Sequence, residues 1–211
     1  MPLTTITHGV TARSEVMKTM FDIATCTDFY MMVVQDFDEF MTETHSARKA
    51  LHCAIAAYHL REWVWLDWLE HDLATQDAIG IHDKNSFNTW VNRSCIYFPI
   101  LRDLVNGTKH FEDRSDFETL RVVAVPFAWG QVTAGWGEGA WGGPIRYVQS
   151  SIPVGLQGAG YLLLDLGEVA KEHRWLPAAY LIELVVRFWR DFFIKFRPTA
   201  TLTHSKHHPI F

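Results

Sequence analysis

Residues 45–75 most constrain the fold, because this run contains neither glycine nor proline. Its apolar side chains form a continuous stripe at helical spacing: Leu51, Ala54, Ile55, Tyr58, Trp65, Leu69 and Leu73. This pattern predicts one long amphipathic helix. We expect that helix to be the spine of the fold, with the other elements packed around it.

Three further segments have helical spacing. Residues 28–43 predict a surface helix with an acidic outer side, and residues 11–27 leave an earlier helix open. Residues 72–85 predict a loop, followed by a helix from about residue 86 that Pro99 should kink or break. A last helix is predicted over 177–196, with Pro177 in its first turn.

The spacing of apolar residues changes from helical to strand-like after residue 110. Residues 120–127 are rich in β-branched side chains, and strands are predicted near 121–133, 145–154 and 161–166. We therefore expect an α+β, mainly α, domain over residues 1–198. It would be a bundle of four or five helices, with a three-stranded antiparallel β insertion at about 119–167 before the C-terminal helix. Residues 199–211 have no apolar period and predict a disordered tail.

Composition favours one domain in a reducing compartment. The chain has 211 residues, 48% of them hydrophobic, which suffices for one sizeable core. Its three cysteines form no CxxC pair, and no run reaches the roughly 18 apolar residues of a membrane span. The N-terminal residues lack a signal-peptide pattern, so we expect a cytoplasmic protein without a membrane partner. The charge of −5 is concentrated in residues 1–80, so a nucleic acid should meet the second half.

A polar motif lies at the end of the third predicted helix. Asn106 and Lys109 each fall within about 40° of Arg102 on an ideal helix, and His110 is rotated about 80° from Arg102. If Gly107 ended the helix as a left-handed cap, His110 would be free to approach Arg102. Both arrangements remain open.

Arginine beside histidine suits RNA cleavage without a metal. Arg102 could hold a phosphate through two donors and stabilise the charged intermediate, while His110 acts as base or acid. In the alternative, Lys109 and His110 only complement the negative helix end. Arg102 then pairs with a carboxylate such as Asp103 or Glu112.

The residues that carry this motif resemble the HEPN family of helical bundles, many of which are ribonucleases. The resemblance covers residues 45–111, and seven residues separate Arg102 from His110, more than the family usually has. It implies an RNA-acting domain, a metal-independent endoribonuclease, in a homodimer whose paired motif helices build one cleft. Arg102 and His110 would be catalytic, with Asp103 and Asn106 as supports, and no cofactor is expected.

Other candidates point to binding. Trp136 and Trp141 lie in a glycine-rich loop at residues 135–144, where they could contact RNA bases or a protein partner. Lys109, Arg187 and Arg190 could hold an RNA backbone. Alternatively, the rings shield the sheet and the cations are a solvated helix face. The second functional hypothesis is therefore a non-catalytic interaction or structural protein that uses the Gly/Trp-rich loop.

The predicted spine helix carries titratable residues, but we expect no metal site. His52 and His59 lie roughly 10 Å apart along one face, too far to share one zinc ion. Glu62 lies on the apolar stripe, where a carboxylate must be paired or protonated.

Overall fold

The computed structural model describes residues 21–108, 118–121, 162–166 and 174–207; for 118–121 it describes the backbone. Six helices occur within these ranges: α1 (Cys26–Met41), α2 (Ala47–Asp67), α3 (Leu73–Ile79), α4 (Lys84–Ser94), α5 (Phe98–Gly107) and α6 (Ala178–Phe196). The chain is thus mainly helical, as predicted.

The first helix begins where its sequence supplies a cap. The Thr25 side chain accepts a hydrogen bond from the Asp28 backbone, and the Asp28 carboxylate accepts from the Thr25 backbone at 2.9 Å. This reciprocal capping box fixes the start of α1 at Cys26, two residues before the predicted start. Residues 21–25 are not helical, and residues 11–20 lie outside the described ranges.

The predicted spine is present but shorter, since α2 ends at Asp67 and a 3₁₀ turn follows at Leu69–His71. The loop predicted over 72–85 is wrong in part, because α3 occupies much of it. Asp72 caps α3 by accepting from the Thr75 amide at 3.0 Å, and Gly80 ends it at a φ of 72°.

The break at Pro99 is confirmed. Helix α4 ends at Ser94, and α5 starts at Phe98 with Pro99 in its first turn, where the missing amide hydrogen costs no helical hydrogen bond. The left-handed cap proposed for Gly107 is wrong. Gly107 is the last helical residue, and the cap residue Thr108 has right-handed backbone angles (φ −71°, ψ −20°).

A small antiparallel sheet lies in the chain between α5 and α6. Its strands are β1 (Glu118–Arg121), β2 (Leu162–Asp165) and β3 (Trp175–Pro177), with β2 in the centre. Leu163 pairs with Leu120 on one side and with Pro177 on the other. The predicted strand at 161–166 is present as β2. Strand β1 shares only Arg121 with the strand predicted at 121–133, and residues 122–133 lie outside the described ranges. The predicted strand at 145–154 lies among residues that the structure does not describe, and β3 falls beyond the predicted insertion.

The core lies around α2, which contacts α1, α4, α5 and α6. Trp189 of α6 is fully buried, and its indole N–H donates to the Ala57 carbonyl of α2 at 2.9 Å. This bond satisfies two polar groups that water cannot reach. An aromatic cluster joins α6 to α2 and α4: Trp68, Phe87, Trp90, Phe188, Phe192 and Phe193.

The ends of three helices are tied together by charge. Asp67, the last residue of α2, accepts a hydrogen bond from the Cys26 amide at the start of α1, at 2.9 Å. Arg197, just after α6, lies 3.9 Å from the same carboxylate and 5.2 Å from the centre of a Trp68 ring. The negative charge of this carboxylate also stabilises the positive N-terminal end of α1. These contacts fix where α6 closes the bundle.

The segment after α6 lies against α1, in contrast to the disorder predicted for residues 199–211. Ser205 is only 6% exposed, and its hydroxyl donates to the Asp38 carboxylate at 2.6 Å. The Lys206 amide donates to the other oxygen of that carboxylate at 3.3 Å. An apolar pattern cannot reveal an attachment made by hydrogen bonds. Residues 208–211 fall outside the described part of the chain.

Among the helices that the structure describes, none combines the length and hydropathy needed to cross a bilayer.

Candidate nucleic-acid interface

Helix α5 presents its polar motif residues away from the core. Phe98, Leu101 and Val105 are fully buried, because they share one face of the helix. Arg102 and Asn106 follow Leu101 and Val105 by one position each, which places them about 100° further round the helix. Both are partly exposed. The predicted common stripe of these two residues is therefore present, at the solvent edge of the bundle.

Arg102 and Asp103 form an ion pair. The Arg102 Nε donates to Asp103 Oδ1 at 2.8 Å, and the side chains are 42% and 28% exposed. This hydrogen bond to Asp103 raises the pKa of Arg102 above its ordinary value, so the guanidinium stays charged at every practical pH. The non-catalytic interpretation of the motif predicted a carboxylate partner of this kind for Arg102, with Asp103 as one candidate. The terminal amino groups of Arg102 donate to no side chain within the described ranges.

Four of the predicted binding and catalytic residues lie outside the described ranges: Lys109, His110, Trp136 and Trp141. The predicted approach of His110 to Arg102 therefore stays a prediction, as do both roles of the glycine-rich loop.

The arginines of α6 have carboxylate partners. Arg187 contacts Glu183, one turn earlier, at 2.9 Å, and Arg190 contacts Asp191 at 2.8 Å. Arg187 is exposed and Arg190 is partly buried. Opposite charges in each pair reduce the positive potential that an RNA backbone would meet. Arg187 thus matches the solvated face that the sequence offered as the alternative, whereas the Arg190 side chain is only 19% exposed.

Two residues that the sequence analysis did not select lie beside the α5 motif. Arg61 of α2 donates through Nη2 to the Tyr58 hydroxyl at 3.1 Å, and its guanidinium carbon lies 4.8 Å from the Tyr58 ring centre. The Tyr58 ring stacks on Phe98 of α5 at 5.7 Å, and Arg102 lies one turn after Phe98 on the same helix. The three-residue spacing of Tyr58 and Arg61 indicated a contact on one helix face. Their position beside α5 depends on helix packing.

Glu62 does not face the core, in contrast to the sequence prediction. It is exposed and forms an ion pair with Lys84 of α4. The hydrogen bond from Lys84 is the main reason that its pKa is lowered. The described stretches of the chain contain no group of three or more His, Cys, Asp or Glu side chains placed to hold a metal ion.

The buried cysteines are poor nucleophiles. Burial raises the pKa of the Cys26 thiol to about 12, with Arg197 opposing the rise, and burial also raises the pKa of Cys53 and Cys95. Because the thiolate is the reactive form, thiol chemistry at neutral pH is not favoured at these positions.

No protein-family model, curated protein or solved structure shows a significant match to this chain.

Proposed function

We propose that this protein acts on RNA through the exposed side of α5, as a HEPN-like domain that cleaves the RNA backbone without a metal. The observation that carries the proposal is the state of Arg102. Its Nε is held by Asp103, whereas its terminal amino groups donate to no described residue and the side chain is 42% exposed. A guanidinium in that state can bind a phosphate oxygen with its remaining donors.

The elements around Arg102 support phosphate binding. The buried face of α5 fixes the backbone that carries it, through Phe98, Leu101 and Val105. Asn106 lies one helical turn further along and offers an amide that donates as well as accepts. A rigid element positions such side chains more accurately than a loop does.

The proposed reaction is an internal transfer within the RNA strand. A 2′-hydroxyl attacks the adjacent phosphorus while His110, as base, takes the hydroxyl proton. The bond from phosphorus to the 5′-oxygen breaks, and that oxygen gains a proton from water or from a second His110. Arg102 stabilises the negative charge that builds on the phosphoryl oxygens. A homodimer that pairs two motif helices would supply the second histidine.

The Arg102–Asp103 ion pair also favours a second candidate function. If the carboxylate only neutralises the arginine, the motif is a structural helix terminus. The protein would then be a non-catalytic interaction protein, and Trp136 and Trp141 in the glycine-rich loop would contact its partner. Substituting both tryptophans would abolish that interaction, whereas Arg102→Ala would leave it unchanged.

Cleavage of mixed single-stranded and structured RNA in EDTA tests the first proposal. We expect Arg102→Ala and His110→Ala each to lower the rate by roughly 100-fold or more, since each removes a group that acts in the transition state. Arg93→Ala is the matched control, because Arg93 is an exposed arginine on α4. This variant should cleave RNA at the rate of the parent. Unfolding in urea should confirm that all variants fold. No cleavage by the parent, or equal cleavage by all variants, contradicts a catalytic role for this motif.

A further inference from the structure

Arg61 differs from the other arginines whose side chains the structure describes. Arg102, Arg174, Arg187, Arg190 and Arg197 each lie within ion-pair distance of a carboxylate. Arg48 and Arg93 are exposed, so water solvates them. Arg61 is partly buried, yet it forms no ion pair with any described carboxylate. A partly buried guanidinium that forms no ion pair with a described carboxylate favours an anion from outside the chain.

Tyr58 fixes the orientation of this guanidinium. The Tyr58 hydroxyl accepts from Arg61 Nη2 at 3.1 Å, while the guanidinium carbon lies 4.8 Å from the Tyr58 ring centre and 5.7 Å from that of Phe98. Contact with two aromatic rings restricts the side chain, and the described residues occupy only one of its donors. The remaining donors are preorganised for a ligand.

The neighbouring charges leave an excess of positive charge. The carboxylate of Glu62, which follows Arg61, is taken by Lys84, and Asp103 is taken by Arg102. Within this group, Arg61 is the cation left over after the two ion pairs. Arg102 belongs to the same patch, because it lies one turn after Phe98 on α5, and Phe98 packs against both the Tyr58 ring and the Arg61 guanidinium.

We propose that Arg61 and Arg102 together bind phosphate groups of an RNA backbone, at a site that Tyr58 organises between α2 and α5. The proposal rests on the proposed function and adds to it the phosphate diester as the recognised group. Arg61 holds the strand in position, and the reacting phosphate lies at Arg102.

Binding of 2′-O-methyl single-stranded RNA by the full-length chain tests the two-arginine site, because this RNA keeps its phosphates but cannot be cleaved through the 2′-hydroxyl. Fluorescence anisotropy over a salt series would compare the parent with Arg61→Gln, Arg102→Gln and Tyr58→Phe. Arg48→Gln is the matched control, since Arg48 is an exposed arginine on the same helix. Urea unfolding of each variant would verify folding.

We expect Arg61→Gln and Arg102→Gln each to weaken binding about tenfold. Each should also reduce the slope of log affinity against log salt by about 0.7, the value for one phosphate contact on a single strand. Tyr58→Phe should give a smaller loss, because the ring remains while the hydroxyl that orients Arg61 is removed. A structural role of Arg61 alone would leave the salt slope unchanged.

The outcomes separate this site from the proposed function. If Arg102→Gln weakens binding while Arg61→Gln behaves like Arg48→Gln, the two-arginine site is wrong and the function stands. If the parent binds no RNA, the function is wrong, and titration with inorganic phosphate decides the site. Saturable shifts of the Arg61 and Arg102 Nε–H NMR signals, but not of Arg48, would support the site, and their absence would overturn it.

Discussion

Asp72 illustrates how single carboxylates hold this fold. It accepts hydrogen bonds from the Thr75 amide at 3.0 Å, the Thr75 hydroxyl at 2.8 Å and the Trp68 indole at 2.8 Å. The amide of Thr75 is the main reason that the pKa of Asp72 is lowered, followed by the Trp68 indole. One side chain thus starts α3 and also fixes a ring at the end of α2.

The lowered pKa of Asp72 makes a stability prediction with a definite sign. The ionised Asp72 carboxylate contributes fully to the free energy of unfolding above its unfolded-state pKa of about 4. This contribution is lost as the pH falls through the lower folded-state pKa. We expect Asp72→Ala to reduce the free energy of unfolding by about 1–2 kcal/mol at pH 7, and by less at pH 3. Urea unfolding at the two pH values measures both. Asp77→Ala, an exposed aspartate on the same helix, should change little. A deficit that is equal at pH 7 and pH 3 would contradict the account.

At the scale of helices and strands, the local sequence was sufficient to predict a helix boundary where a single residue determines it. Pro99 lies in the first turn of α5, after the predicted break that follows Ser94, whereas Pro177 caps α6 from the position before it and not from within its first turn as predicted. The apolar stripe of α2 also gave the central helix. Local signals failed where contacts distant in sequence decide. The tail segment is attached through Asp38 of α1, which no pattern within residues 199–207 could indicate.

The residues of the candidate site also differ in whether local sequence spacing could predict them. Helical spacing placed Arg102 and Asn106 on one stripe, because that depends only on α5. The sequence pattern did not assign Arg61 or Tyr58 to the candidate site, since their place in it arises from the packing of α2 against α5 through Tyr58 and Phe98. Glu62 was assigned to the core because the stripe was treated as wider than it is. Its ion pair with Lys84 requires α4 to lie alongside α2.

The attachment of the tail segment to α1 can be measured. Ser205→Ala removes the hydroxyl that donates to Asp38 at 2.6 Å. Hydrogen bonds to charged groups contribute about 1.5–3 kcal/mol, so we expect a loss in the lower part of that range, by urea unfolding. Thr201→Ala is the control, because Thr201 is exposed in the same segment. Equal stability of the two variants would mean that this contact does not hold the tail.

Across the whole molecule, the buried aromatic side chains and the exposed arginines lie on different faces of the bundle. The face of α6 that meets α2 and α4 is aromatic and buried, with Trp189 fully enclosed. The face of α2 and α5 around Tyr58 instead keeps two guanidinium groups at the solvent edge. The arginines of α6 carry carboxylate partners. Arg61 on α2 has no ion pair with a described carboxylate, so we expect an RNA backbone to meet the α2–α5 side.

Ultraviolet crosslinking of bound RNA to the full-length chain, followed by mass spectrometry of the peptides, tests this account most directly. We predict crosslinks in the part of α2 that contains Tyr58 and in α5, and their reduction in Arg61→Gln and Arg102→Gln. Crosslinks confined to residues 135–144 would contradict the account and assign RNA contact to the glycine-rich loop. Absence of crosslinks at RNA concentrations that saturate other single-strand binders would contradict RNA binding itself.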